Sequence, residues 1–142
     1  VAAPAIAQDR APGPAATFDH IALNAADADV SAAFYSRAFG FTEIPTKLPN
    51  TRWLSMGNGF ALHLIGGRTA AVVLNRIVHV AVRTDDLEKS IAYFDANRIA
   101  WSDFTGKPRT IQTRFDGVRQ IFVQDPDGFW IEVSDNRGKP AN

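Results

Sequence analysis

From Phe18 to Asn136 the chain alternates between short runs of period two and stretches of helical period, separated by turn residues. Phe18–Asn24 and Ile77–Arg83 alternate apolar with polar or small side chains, the pattern of a strand with one buried face. A helical pattern follows each. Asp27 or Asp29 can cap a helix holding Val30, Ala33, Phe34 and Arg37, with Gly40 as its stop. In the second half, Asp85-Asp86-Leu87-Glu88 has the form of an N-cap with a Glu three residues on. Leu87, Ile91 and Phe94 then recur at helical spacing. Thr110–Phe115 and Val118–Gln124 flank Asp116-Gly117, a two-residue hairpin signal. Asp125-Pro126-Asp127-Gly128 predicts a further turn, leading into the strand-like run Phe129–Val133.

These elements repeat. A shift of 59 residues superposes His20 on His79, Ala22 on Ala81, Ser31 on Ser90, and Phe34-Tyr35 on Tyr93-Phe94. A shift of 69 superposes Asn58-Gly59-Phe60 on Asp127-Gly128-Phe129, and His63 on Glu132. The ten-residue difference predicts a longer connection in the second half, placed at Trp101–Thr110. Both halves then run strand, helix and further strands, ending on a candidate ligand. Residues 18–76 form the first module and 77–136 the second, with an Ala/Pro-rich leader at 1–17 and a tail at 137–142.

Strand parity groups the side chains. His20 shares a face with Ala22 and Asn24, opposite Ile21 and Leu23, while His79 shares one with Ala81 and Arg83. Glu132 lies with Trp130 and Ser134, and His63 with Ala61 and Ile65. If these faces turn inward on a concave sheet, they form a cup with a polar floor. The chain has three histidines, and all three fall in this set. Glu132 adds a carboxylate on a face that otherwise has to bury its charge unpaired.

Composition narrows the chemistry. The 142 residues carry 15 basic and 15 acidic side chains, so no broad field favours nucleic acid or an anionic membrane, and neither is expected as a partner. No run approaches the ~20 apolar residues that span a bilayer. With no cysteine, any metal must be held by imidazole, carboxylate, amide or water. Three imidazoles and a carboxylate suit Zn²⁺, Ni²⁺, Co²⁺, Fe²⁺ or Mn²⁺ rather than Ca²⁺ or Mg²⁺. If all four bind an octahedral ion, two positions stay open; if three bind, the fourth is a neighbouring base. In the leader, Ala5-Ile6-Ala7 has the small residues of a signal-peptidase site. Residues 1–7 ending a signal peptide would mean a periplasmic or secreted protein, and otherwise a cytoplasmic one.

Four stretches carry a family resemblance: Phe18-Asp19-His20-Ile21-Ala22-Leu23, Ala33 to Phe41, Val78-His79-Val80-Ala81-Val82, and Gln124 to Val133. In them the chain resembles the vicinal oxygen chelate superfamily of glyoxalases, extradiol dioxygenases and bleomycin-resistance proteins. The resemblance implies an α+β fold of two βαβββ modules in tandem, forming a curved eight-stranded mixed sheet around a divalent metal. It places His20, His63, His79 and Glu132 on the metal-contacting positions. Glyoxalase I commonly has a glutamate where this chain has His63. A His, His, Glu triad at His20, His79 and Glu132 is the extradiol pattern and leaves His63 either to stand behind the ligands or to act as the catalytic acid/base.

The function expected is a metal-dependent, glyoxalase-like lyase or isomerase acting on a small molecule with vicinal oxygens. An Fe²⁺ ring-cleaving dioxygenase and a binding or resistance protein without turnover are the alternatives. Arg83, Arg114, Phe60 and Trp130 are the candidate substrate contacts. An exposed sheet edge on each of two short modules points to a homodimer.

Overall fold

The computed structural model describes residues 14–136, so Ala5-Ile6-Ala7 and the tail lie outside the described residues. The first module runs β1 (His20–Asn24), α1 (Ala28–Phe39), β2 (Thr42–Ile44), β3 (Thr51–Gly57) and β4 (Phe60–Ile65). The second runs β5 (His79–Arg83), α2 (Leu87–Ala96), β6 (Trp101–Ser102), β7 (Gln112–Thr113), β8 (Arg119–Gln124) and β9 (Trp130–Ser134). The α+β class and the repeated strand–helix–strands order are both present.

The two sheets are built alike. The first has the order β1-β4-β3-β2 and the second β5-β9-β8-β6, with the first and last long strands of each module paired in parallel. The described residues do not confirm a single eight-stranded sheet. Among the described residues nine strands make two sheets of four and five, and no ladder joins β1 to β5. The extra strand comes from the insertion. β2 and β6 begin 59 residues apart, at Thr42 and Trp101, while Thr51 of β3 and Gln120 of β8 already differ by 69. The excursion between them breaks the outer edge of the second sheet into β6 and β7, both antiparallel to β8. The hairpin after β7 closes at Asp116-Gly117, where Gly117 has φ +84.

Helix α1 starts at the Asp27 cap, whose carboxylate accepts from the amides of Asp29 and Val30, and stops at Gly40 in the left-handed region. The second cap sits one residue later than the Asp85/Glu88 spacing predicts. Asp86 is the N-cap and accepts from the Lys89 amide. Glu88 is thereby free to turn outward and pair with Arg119.

One apolar core serves both modules. Leu23, Leu54, Leu62 and Leu64 of the first join Leu87, Phe94, Ile121, Val123, Ile131 and Val133 of the second, all buried. Apart from Leu87 and Phe94 of α2, these are the strand positions opposite the His and Glu faces, as parity requires. Tyr35 is buried too, but its hydroxyl is held at 2.9 Å by Asp125. The Asp125–Gly128 turn thus also ties the modules together. Asp127 accepts from the Ala26 amide at 2.7 Å and Ser31 Oγ at 2.6 Å, and pairs with Arg68 at 2.5 Å.

Candidate metal and substrate site

Register places the four candidate ligands in two equivalent pairs. In the first sheet Ala22 stands opposite His63, and in the second Ala81 stands opposite Glu132. The alanines keep the space beside each ligand open. His20 and His63 stack with ring centroids 4.1 Å apart, and His79 Nε2 lies 3.4 Å from Glu132 Oε2. Both pairs are reachable from solvent: the His20, His79 and Glu132 side chains are 41%, 24% and 11% exposed.

The histidine tautomers are set from behind. His79 Nδ1 lies 2.6 Å from the Arg76 carbonyl, which can only accept, so Nδ1 donates there and Nε2 is the nitrogen turned toward Glu132. His20 Nδ1 is held in the same way by Asp19 Oδ2 at 2.5 Å. An oxygen acceptor behind Nδ1, leaving Nε2 to the front, is the arrangement that orients metal-ligating imidazoles. His63 has no such support. Its ring is stacked between His20 and the Trp53 indole, 4.4 Å away, and its nitrogens have no hydrogen-bond partner among the described residues. Burial, then the neighbouring His20, hold its pKa below the usual value against the opposing pull of Asp19.

Among the described residues these four donors do not gather at one point. No group of three or more His, Asp or Glu side chains converges among the described residues. The donor types fit a divalent transition metal, but each sheet presents only half of the set. Glu132 also differs from expectation, since it is not an unpaired charge. Besides His79, Arg114 Nη1 lies 3.9 Å from Oε1, and Arg114 is itself paired to Asp116 at 2.7 Å. The hairpin that carries Arg114 brings it over β9, a contact that strand parity alone does not predict.

The expected substrate contacts divide between two cavities. Phe60, Arg83 and Arg114 line a cavity of about 420 Å³ together with Glu132. Trp130 lines another, of about 580 Å³, with Phe122 and Arg76. Arg76 is a functional candidate that sequence patterning missed, because it lies in the irregular connection before β5. Arg109 and Arg119 are structural, paired with Asp95 and with Glu88 and Asp135.

Comparison with known proteins agrees with this fold. Residues 17–71 match the family model of the Glyoxalase/Bleomycin resistance protein/Dioxygenase superfamily. The fold is similar to that of the solved structure titled Oxidase ChaP-H2, with TM-score 0.73 and 22% identity over 89% of this chain and 97% of that one. It is similar also to lactoylglutathione lyase from Agrobacterium tumefaciens (TM-score 0.64, 23% identity, 86% and 95% covered). TioX from Micromonospora sp. ML1 is a third (TM-score 0.62, 18% identity, 84% and 98% covered). No curated protein sequence matches the chain. The first module thus matches that superfamily's model in sequence, and the whole chain shares the fold of these solved structures.

Proposed function

We propose that this protein is a metal-dependent vicinal oxygen chelate enzyme, of the glyoxalase-like lyase or isomerase type, whose metal site is completed by a second copy of the chain. The observation that carries the reading is the pair of half-sites, His20 with His63 and His79 with Glu132, on equivalent strands of two separate sheets. Two copies related by a two-fold axis can set the first pair of one chain against the second pair of the other, giving two equivalent sites. Bound there, a divalent ion would supply Lewis-acid polarisation of two neighbouring oxygens on a small substrate. The supported tautomers of His20 and His79, with the Glu132 carboxylate, favour these three as ligands. His63, without support behind its ring, is left to accept and return the substrate proton. Arg83, Arg114 and Phe60 stand beside Glu132 where a substrate's remaining groups would lie.

A second reading shares the same site. A three-ligand His, His, Glu set suits Fe²⁺ and oxygen-dependent cleavage, and the fold likeness to a protein titled an oxidase favours keeping it. Metal analysis of protein purified without chelator, followed by turnover assays on methylglyoxal with thiol and on catechols, separates the two. Nickel, zinc or cobalt with thioester formation supports the lyase, and iron with ring opening the dioxygenase. Less than roughly 0.2 equivalents of any transition metal, with none taken up on titration, contradicts both.

A further inference from the structure

We propose that the cavity beside Trp130 is a binding site for an aromatic carboxylate, with Arg76 as its anion receptor. Arg76 lies in the connection between the modules, three residues before His79. Among the described residues no acid pairs with its guanidinium. The Cζ atom stands 4.0 Å from the centroid of the Trp130 indole, a cation–π contact. The indole is itself held by its Nε1–H, which donates to the Leu74 carbonyl at 2.9 Å. Arg76 also packs on Gly106, where an added Cβ would come within 3.2 Å of Nη1, so a residue without a side chain is what gives the guanidinium its place. The Arg76 Nε is buried with no hydrogen-bond partner, and no carboxylate pairs with this side chain among the described residues. Arg52, Arg68, Arg109, Arg114 and Arg119 all have carboxylate partners. A half-buried, pre-positioned cation that lacks a counter-charge is an uncompensated cost unless a ligand supplies that charge.

The space next to it defines the rest of the ligand. The cavity holds about 580 Å³, within the range of small-molecule sites, and its walls include Phe34, Trp101, Phe122 and Trp130. Most of its other polar groups are engaged within the protein. Gln124 Nε2 donates to the Gly128 carbonyl, and Ser102 Oγ to that of Asp103. The Asp125 carboxylate accepts from Tyr35 Oη and the amides of Asp127 and Phe129. One fixed planar cation among aromatic walls fits a single negative charge on a flat apolar body. The guanidinium fork matches a carboxylate in two-point contact, whereas a phosphate dianion would call for further cations that the cavity lacks. On the sheet, Trp130 is the register partner of His79, so the cavity adjoins the second half-site. It does not depend on a metal being bound there.

The test is therefore run on the full chain in the presence of chelator. Binding of 1-naphthoate and of its neutral analogue 1-naphthalenemethanol is followed by tryptophan fluorescence and calorimetry. The expected result is that the carboxylate binds at least about tenfold more tightly than the alcohol, as a charge-assisted hydrogen bond provides. Arg76→Met removes that preference while leaving the weak affinity for the alcohol. Arg76→Lys, which keeps the charge and the stem, retains part of the preference and serves if the Met variant does not fold. Equal affinities for the two probes, no binding of either, or an unchanged preference in both variants overturns the proposal. Because no metal takes part, such a failure leaves the proposed enzyme function standing, and the converse also holds.

Discussion

Removing the charge of Asp127 tests whether the Asp125–Gly128 turn locks the modules together. Its side chain is only 4% exposed and reaches back across the molecule to Ala26 N, Ser31 Oγ and Arg68 Nη2. Asp127→Asn keeps the shape and one acceptor oxygen but removes the negative charge opposite Arg68, itself 15% exposed. Hydrogen bonds to charged groups contribute about 1.5–3 kcal/mol each, so a loss of about 2–3 kcal/mol is expected. In a domain of this size that lowers Tm by about 5–12 °C. Urea denaturation of Asp127→Asn, Arg68→Met and the double variant gives the coupling directly, which should be at least about 1 kcal/mol. A loss below about 0.5 kcal/mol in the single variant, or no coupling in the cycle, refutes the lock.

The same carboxylate sets a pH dependence. Burial pushes the Asp127 pKa up, but hydrogen bonds from Ser31, Ala26 and Arg68 outweigh it and hold the group below its usual value. Its contribution is therefore full above the unfolded pKa near ~3.9 and is lost as pH falls through the lower folded value. The stability gap between wild type and Asp127→Asn should close below about pH 4 in thermal melts, and a gap that widens there would contradict the assignment. Phe94 is fully buried in the shared core, so Phe94→Ala should cost about 3–5 kcal/mol by urea denaturation. Gly40→Ala forces a side chain to φ +70 and should cost about 1 kcal/mol in the same assay. For the site, His79→Ala should lose metal and turnover together, whereas His63→Gln should keep the metal and lose turnover. Loss of metal in His63→Gln would make His63 a ligand.

Much of this architecture was legible in the chain because local chemistry specifies it. Asp27, Gly40 and the Asp116-Gly117 turn carry their own conformational preferences, and the period-two runs set which side chains share a face. The alanines opposite His63 and Glu132 follow from that parity. What stayed hidden depends on contacts between distant segments. The α2 cap moved from Asp85 to Asp86, with Glu88 pairing to Arg119 some thirty residues on. Asp125 and Asp127 look like ordinary turn residues until Tyr35, Ser31 and Arg68 come against them. Arg76 had no periodic pattern to mark it, since its place is set by Trp130 and Gly106. The four candidate ligands share equivalent positions in the repeat, yet repetition does not say whether one chain can bring both pairs to one point. Two sheets backed onto a single core keep them apart.

That separation makes the central claim testable by complementation. His20→Ala and Glu132→Ala variants, carrying different affinity tags, are co-expressed, and the mixed dimer is isolated through both tags for metal analysis. A site shared between two chains leaves one intact site in the mixed dimer, so it should hold half the wild-type metal per chain, while each variant alone holds little. A mixed dimer as empty as the separate variants, or a wild-type protein that binds its full metal as a monomer, would contradict the shared site.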